Sequence, residues 1–340
     1  MENTTLKISI VTTFYNSVRL GNFVERSMNC LLNQTYKNIE FICVNDGSSD
    51  STLSQLENYA KKDSRIKVIN KENEGVAHYA KATGQDAANG DYIMLFDHDD
   101  VLSLDAIELA VAKIKQEETN IDAVSMIVKV YYPNGELRNS YNLYEHISSE
   151  NLYKPLSISG FNAYKLTVGC YDFHFRGLIK KEKFKAISFR FPEKIVNGDE
   201  IIERQIFKSL NLITSCEGVY HHYIYDNSSA KSYNLKKTDF ARTDVILRDL
   251  YKTDNVYEER KDKVELFAYK NLISGIKVYH HFAQKLSRSD KDFYIKRLKE
   301  GFKNIDKKIL LKQYSGKTKC YNSLLVSSFF VMFCYYKFKN

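Results

Sequence analysis

Three aspartates stand within four positions at the end of an apolar run in DYIMLFDHDD, residues 91–100. Carboxylates this close repel one another, and burying them costs free energy unless something cancels their charge. Asp97, Asp99 and Asp100 therefore predict a cation at this segment.

A second acidic turn, VNDGSSDST (44–52), follows another apolar run and carries Asp46. If the two runs are strands of one sheet, in which neighbours lie about 4.8 Å apart, both turns share one cleft. Oxygen-only ligands suit Mg²⁺ or Mn²⁺, which bind through few carboxylates and complete their coordination with substrate phosphates. The two turns thus predict a divalent cation and a substrate that carries a diphosphate.

The elements around these turns alternate. Strand-like runs at 7–14, 39–46, 65–70 and 91–97 are separated by segments with apolar residues at helical spacing. This order predicts an α/β fold with right-handed crossovers and a mainly parallel sheet. Such sheets bind ligands at the carboxyl ends of their strands, which is the edge where both acidic turns would fall.

Later segments are mixed and then helical. We predict, in chain order, a helix, a strand, a helix and a strand over 105–117, 121–132, 199–210 and 213–225. From Ser232 onwards the pattern is helical, basic and aromatic. We place a domain boundary near residue 230, which gives domains 1–230 and 231–340.

Charge is unevenly distributed over these two parts. The chain carries 50 Lys and Arg against 42 Asp and Glu, a net charge of +8, whereas residues 231–340 alone hold 25 basic and 12 acidic residues. This excess favours an anionic partner such as membrane headgroups, or a solvated lysine-rich surface. Nucleic acid is not an expected partner, because the sequence has no recognition motif for it.

The cysteines and the N-terminal residues indicate the cellular compartment of the protein. The six cysteines form no CxxC pair, which is typical of reduced thiols in a cytosolic protein. The N-terminal residues lack a basic stretch followed by an apolar one, so we expect no signal peptide and a cytoplasmic location.

An uncharged run of 14 residues, 323–336, lies near the C-terminus. It is shorter than the roughly 18 to 20 apolar residues that a membrane-spanning helix needs. Three alternatives are open: a peripheral helix on the inner membrane, a helix in the protein core, or a subunit contact in a homo-oligomer.

Four segments in this order, VTTFYN, VNDGSSDST, NEGVAHYAKATGQDAANGDYI and LFDHDD, resemble the nucleotide-sugar domain of family 2 glycosyltransferases. The resemblance covers residues 7 to about 230 and implies the GT-A fold, a Rossmann-like α/β domain with a mixed, mainly parallel sheet. It implies an inverting enzyme that moves a sugar from a nucleotide diphosphate, most simply a UDP-sugar, to a hydroxyl acceptor with Mn²⁺ or Mg²⁺ as cofactor. The acceptor would be a glycan or lipid-linked precursor of bacterial capsule, lipopolysaccharide or another surface polysaccharide.

The resemblance also implies roles for individual residues. Thr13 and Tyr15 would line the base pocket, with the Tyr15 ring stacked on uracil or another base. Asp46 would hold the base or the ribose. Asp97 and Asp99 would form the DxD element, which meets the ribose and the metal ion.

At three further residues the sequence departs from the family pattern or allows more than one role. Lys81 stands where the family usually has an Arg, so it keeps a positive charge for phosphate without the planar fork of a guanidinium. His98 is expected to point away from the metal, because oxygen ligands suit a hard cation better. Asp100 either joins the acidic site or caps the helix that follows.

The general base would come from an acidic pair at the start of a later helix. In VNGDEIIERQ the resemblance favours Asp199, with Glu200 as the neighbouring alternative, although acidic residues also stabilise any helix N-terminus. The segment YDFHFRGLIKKEKF resembles the acceptor-side stretch. Its aromatic residues and Arg176 would contact a sugar acceptor or its phosphate, or pack against the sheet.

Two other classes of function compete with a glycosyltransferase. A phosphoryl-transfer enzyme could use the aspartates as nucleophile and Mg²⁺ site, but that class places its DxD after the first strand. A non-catalytic sugar-nucleotide-binding protein would keep the cleft without the base. An Asp199→Asn variant that binds donor but cannot transfer separates the enzyme from the binder.

Overall fold

The computed structural model describes residues 5–116, 120–141, 157–170, 174–185, 187–191, 194–195, 197–225 and 234–338. Its strands form a ten-stranded sheet in the order β3-β2-β1-β4-β9-β6-β10-β5, with β7 beside β6 and β8 beside β10. The strands are β1 (Ile8–Phe14), β2 (Ile39–Asp46), β3 (Ile66–Lys71), β4 (Tyr92–Asp97), β5 (Val101–Leu102), β6 (Ala123–Tyr131), β7 (Leu137–Tyr141), β8 (Ser157–Ile158), β9 (Gly177–Lys180) and β10 (Ile213–Tyr223).

Helices connect and cover these strands. In the part of the chain up to β10 they are α1 (Ser17–Gly21), α2 (Phe23–Leu32), α3 (Thr52–Ala60), α4 (Ala77–Asp86), α5 (Ala106–Gln116), α6 (Gly160–Thr167), α7 (Lys181–Phe184) and α8 (Gly198–Ser209). The remainder consists of two 3-10 turns, Leu235–Asp239 and Ala283–Lys285, and the helices α9 (Phe240–Thr253), α10 (Tyr257–Phe282), α11 (Arg288–Asn304), α12 (Lys307–Lys312), α13 (Gly316–Ser327) and α14 (Phe329–Phe338).

The predicted mainly parallel sheet is confirmed for its first half. Strands β3, β2, β1 and β4 pair in parallel, and β9 then runs antiparallel to both β4 and β6. Side chains of β1 and β2 are buried on both faces, as expected for strands covered by helices on each side. Their core includes Ile8, Ile10, Phe41 and Met94, none of which is exposed.

One predicted helix is broken. The residues from 17 to 34 form two helices, because Asn22 takes the left-handed conformation with φ of 53° and ends α1. Asparagine tolerates this conformation better than most residues do, since its short amide can bond locally. Asn22 therefore ends α1 and begins α2.

The backbone contacts divide the chain into two compact units. The first comprises Met1–Leu166, His174–Lys194 and Ile202–Lys231; the second comprises Ser232–Asn340 with the short segments Thr167–Phe173 and Ile195–Ile201. The change at Lys231 lies one residue from the boundary that the sequence predicts. The two short segments could not be assigned from sequence, because their membership depends on tertiary contacts.

The second unit is a helical bundle with its own core. Leu272 and Ile276 of α10 pack with Leu298 of α11 and Met332 of α14. A buried ion pair joins Arg248 of α9 to the Glu265 carboxylate of α10 through two bonds of 2.8 and 3.0 Å. The helical C-terminal region is therefore as predicted.

The uncharged run near the C-terminus forms parts of α13 and α14, with Ser328 extended between them. Leu325 and Met332 are buried in the core of the second unit, whereas Leu324 and Phe330 are 62% and 72% exposed. Within the described residues, no helix is both long and apolar enough to cross a membrane. The run is thus a core element on one face and an exposed apolar surface on the other.

Candidate functional site

Three of the predicted site residues lie at the same edge of the sheet. Asp46 ends β2 and Asp97 ends β4, and both strands flank β1, where Thr13 pairs in register with Asp97. Two strands separated by a third lie about 10 Å apart, so Asp46 and Asp97 lie at one edge of the sheet with β1 between them. The sequence-based expectation that the acidic turns share a strand-end edge is therefore met.

The loop after β1 is tied to the loop after β2. Asn16 is left-handed with φ of 50°, its amide oxygen accepts from the Ser49 N–H at 2.8 Å, and its own N–H donates to the Ser48 hydroxyl at 2.9 Å. Tyr15 precedes this turn and is 47% exposed. Its ring is therefore held by a fixed backbone while its surface stays available to a ligand.

Asp46 is buried and has two partners of its own. Lys71 Nζ donates to Asp46 Oδ1 at 2.9 Å, and Asn73 Nδ2 donates to Oδ2 at 3.1 Å. Gly47 follows with φ of +67°, and a Cβ there would lie 2.6 Å from the Asn73 backbone nitrogen, so only glycine fits this close approach. The turn holds the Asp46 carboxylate in one orientation.

Asp97 lies between two cations. Lys81 Nζ is 2.9 Å from its Oδ1, and Arg176 Nη2 is 3.1 Å from its Oδ2. Burial would raise the pKa of Asp97, but the charges of Lys81 and Arg176 outweigh it and hold that pKa well below its usual range. Asp97 is therefore ionised, and both of its oxygens have partners within the chain.

Asp100 is buried and bonds to a neighbouring strand; it does not cap a helix. Its carboxylate accepts from the Tyr220 hydroxyl at 2.7 Å and from the Tyr223 N–H at 3.0 Å, and it lies 3.1 Å from His222 Nδ1. These partners all lie on β10, so Asp100 joins the DHDD loop to that strand. The alternative in which Asp100 caps the next helix is wrong.

His98 and Asp99, the two middle residues of the DHDD loop, are both half-buried. The His98 ring lies against Phe14 and Phe23, with its centroid 5.7 and 5.5 Å from theirs, and its expected orientation away from a metal ion stays a prediction. Burial, then Asp100 and Asp97, raises the pKa of Asp99 to about 7. Asp99 thus has the carboxyl group of this loop that most needs a cation in order to ionise.

The residues fit a metal ion only in part. Among the described residues, no group of three His, Cys, Asp or Glu side chains could hold a metal ion. Among the described residues no other side chain bonds to the Asp99 carboxyl, whereas Asp97 and Asp100 are engaged with partners. Asp99 is therefore the carboxylate free to bind an ion, and other ligands would have to come from a substrate.

The two candidate bases lie in the first turn of α8, where Asp199 is exposed and Glu200 is 6% exposed. Both belong to the second compact unit by their contacts. Their role as base stays a prediction.

Sequence reasoning missed three contributors to this edge. Arg176 was expected on the acceptor side, but its guanidinium pairs with Asp97 and lies over the Tyr220 ring at 5.2 Å. Tyr220 and Asn73 were not singled out at all. These contacts join distant parts of the chain, so no local pattern reveals them. Phe173, which the sequence placed on the acceptor side, lies outside the described residues.

The sheet order and the acidic strand ends define a GT-A fold with the edge that this class uses for a nucleotide-sugar. A family model described as "Glycosyl transferase family 2" matches residues 9–184. The chain belongs to this family, and the resemblance seen in the sequence is confirmed.

Similar proteins support the same fold. The chain is 28% identical over 188 residues to glycosyltransferase GlyG of Streptococcus pneumoniae serotype 4, covering 54% of this chain and 59% of that one. It is 26% identical over 296 residues to hyaluronan synthase of Pasteurella multocida, covering 79% of this chain and 30% of the synthase. These curated relatives are therefore considerably longer than the part that the chain matches.

Among solved structures, the chain is similar to S. aureus TarS 1-349 in complex with UDP-GlcNAc. The TM-score is 0.61 at 16% sequence identity, and the match covers 95% of this chain and 86% of the TarS chain. This likeness extends through the helical second unit, so both parts of the fold have a solved counterpart.

Proposed function

We propose that the protein is an inverting glycosyltransferase that moves a sugar from a UDP-sugar to a hydroxyl group of a growing surface polysaccharide. The observation that carries this proposal is that Asp46 and Asp97 end two strands on either side of β1, and that Tyr15 directly follows β1 at the same edge of the sheet. A carboxylate and an exposed aromatic ring at the same edge of the sheet suit a nucleoside, and the cations beside Asp97 suit phosphate. The donor class is supported by the likeness to a TarS complex with UDP-GlcNAc.

We propose Mn²⁺ or Mg²⁺ as cofactor, held by Asp99 together with diphosphate oxygens of the donor. Asp97 contributes a second ligand only if Lys81 or Arg176 releases one of its oxygens. The ion would neutralise charge on the departing nucleotide diphosphate. Lys81 would lie beside the same phosphates, and Thr13 would line the base pocket.

We propose Asp199 as the base that takes the proton from the acceptor hydroxyl, with Glu200 as the alternative. An exposed carboxylate at a helix N-terminus reaches solvent, as a base for an incoming acceptor must. The buried Glu200 is better suited to holding the start of α8. This contrast in burial favours Asp199.

The acceptor is proposed to be a glycan or a lipid-linked precursor of capsule, lipopolysaccharide or a related polymer. The names of the relatives, which include hyaluronan and chondroitin synthases, favour a polysaccharide acceptor. A hexosyl group is the expected unit transferred.

Peripheral binding to the inner membrane is proposed for the C-terminal segment. From Lys307 to Asn340 the sequence holds seven lysines and no acidic residue. Lys317, Lys319 and Lys337 are exposed, as are Leu324 and Phe330. An apolar face bordered by lysines suits an anionic lipid surface, where each basic residue contributes about 1 kcal/mol. A second copy of the chain is the competing occupant.

The proposal is tested with a panel of nucleotide-sugars, each with and without Mn²⁺. We expect at least one UDP-sugar to raise the melting temperature and to be hydrolysed slowly to UDP, since a ligand stabilises the folded state that binds it. If no nucleotide-sugar stabilises the protein under either condition, the proposed function is wrong.

A further inference from the structure

We propose that Arg176 is a donor-binding residue whose guanidinium contacts the diphosphate, while Asp97 and Tyr220 hold it in place. The inference rests on the proposed function, because it names a further residue of the same site. It assigns Arg176 to the binding of the nucleotide-sugar and not to the binding of the sugar acceptor.

The guanidinium is held from two sides. Nη2 donates to Asp97 Oδ2 at 3.1 Å, and Cζ lies 5.2 Å from the centroid of the Tyr220 ring. Tyr220 is fully buried and its hydroxyl is bonded to Asp100, so the ring is a rigid support. Two constraints on one planar group fix its orientation as well as its position.

Several N–H groups of the same guanidinium make no hydrogen bond to the described residues. Arginine carries five N–H donors, and the described residues use few of them: Nη2 bonds Asp97, and Nη1 makes a long contact of 3.4 Å to the Phe175 carbonyl. Nε is buried and has no acceptor among the described residues. The N–H groups of this partly exposed side chain that bond no described acceptor are therefore available to a ligand.

The charges at this point favour an anion. Lys81 and Arg176 both pair with Asp97, so two positive groups share one carboxylate. The side chains of Lys81 and Arg176 are 20% and 18% exposed, which leaves part of each open to the cleft. Guanidinium binds phosphate through paired N–H groups, and a diphosphate offers several acceptors at that spacing.

The competing interpretation is that Arg176 only orients Asp97 toward the ribose. UDP and uridine distinguish the two, because uridine has the base and the ribose but no phosphate. We would measure UDP binding by calorimetry and uridine binding by ligand-observed NMR. The proteins are the wild type, Arg176→Gln and Arg176→Lys. Arg65→Gln is the control, since it removes a similar ion pair at Asp63.

We expect Arg176→Gln to weaken UDP binding at least about tenfold, a change of ~1.4 kcal/mol, while uridine binding changes less than twofold. Arg176→Lys should lie between the wild type and Arg176→Gln, because it keeps the charge without the fork. The loss should persist in EDTA, where no metal ion shares the phosphate charge.

If UDP binding and uridine binding weaken equally, the proposal is wrong and Arg176 only orients Asp97. Unchanged UDP binding would also overturn the proposal. If Arg176→Gln does not fold, the comparison of UDP with uridine in Arg176→Lys decides. A wild type that binds no UDP at all refutes the proposed function itself, which is a separate outcome.

Discussion

The Tyr220 hydroxyl donates to the Asp100 carboxylate at 2.7 Å and accepts from the Asp97 N–H at 3.3 Å. One buried phenol on β10 therefore contacts both ends of the DHDD loop. The loop keeps its shape through this strand and not through a helix cap. The position of Asp97, and with it the donor site, depends on a residue more than a hundred positions later in the chain.

The first prediction concerns this hydroxyl. Tyr220→Phe keeps the ring beneath Arg176 but leaves Asp100 one donor short, so we expect a loss of about 1–2 kcal/mol in the free energy of unfolding. UDP affinity should fall as well, because the loop is less well fixed. Urea denaturation and calorimetry measure the two effects. Tyr59→Phe is the control, and an equally stable Tyr220→Phe protein would contradict the assignment.

The second prediction concerns pH in metal-free buffer. The folded pKa of Asp99 is about 7 and its ordinary value is 3.8. A raised carboxyl pKa gives stability below pH ~4, which is lost as the pH rises through 7. Asp99→Asn should therefore be more stable than the wild type at pH 8 by about 1–3 kcal/mol.

At pH 4 the difference should be much smaller, because Asp99 is then protonated in the folded state and the pH is close to its unfolded pKa of 3.8. Thermal unfolding at a series of pH values measures the difference. A constant difference between pH 4 and pH 8 would show that Asp99 does not titrate in this range.

The third prediction separates catalysis from binding. Asp199→Asn should bind UDP as the wild type does but lower the transfer rate by about 10² to 10⁴, the usual contribution of a general base. Glu200→Gln should instead lower stability, because that side chain is buried. The reverse pattern would make Glu200 the base. Normal transfer in both variants would exclude the pair.

The fourth prediction concerns the exposed apolar residues of α13 and α14. The wild type should bind to vesicles that contain phosphatidylglycerol and sediment with them. Added salt should weaken this binding, because it screens the charges of the lysines. Leu324→Ser with Phe330→Ser should reduce it without lowering stability, since both side chains are largely exposed.

Leu104→Ser is the matched control, because Leu104 is 60% exposed and lies before α5. Equal sedimentation of all variants would contradict a lipid surface at α13 and α14. A concentration-dependent dimer that Phe330→Ser abolishes would assign the same face to a second copy of the chain.

Much of the first unit was predictable because its signals are local. The apolar runs fixed β1, β2 and β4 within a residue of their observed bounds, and the parallel order followed from alternation with helices. Asp46 and Asp97 fell at strand ends for the same reason. The polar turns at these strand ends could be predicted without knowledge of long-range contacts.

The partners of these residues were not predictable in the same way. Arg176 meets Asp97 across 79 positions, through a strand that enters the sheet antiparallel between β4 and β6. Asp100 looked like a helix cap because an acidic residue just before a helix usually is one. In the structure β5 (Val101–Leu102) follows Asp100 and α5 begins only at Ala106, so Asp100 bonds to β10 and not to the helix N–H groups.

The most direct test of the central claim is the affinity of UDP for a Tyr15→Ala variant in the presence of Mn²⁺. Tyr15 is 47% exposed, so truncation should leave the fold intact, and Tyr132→Ala, at 44% exposure, is the control. Stacking of the uracil base on the Tyr15 ring should contribute about 1–3 kcal/mol. Its loss should weaken UDP binding roughly 10- to 100-fold in Tyr15→Ala and not in the control. Unchanged UDP affinity in Tyr15→Ala would contradict a nucleotide site at the ends of β1, β2 and β4.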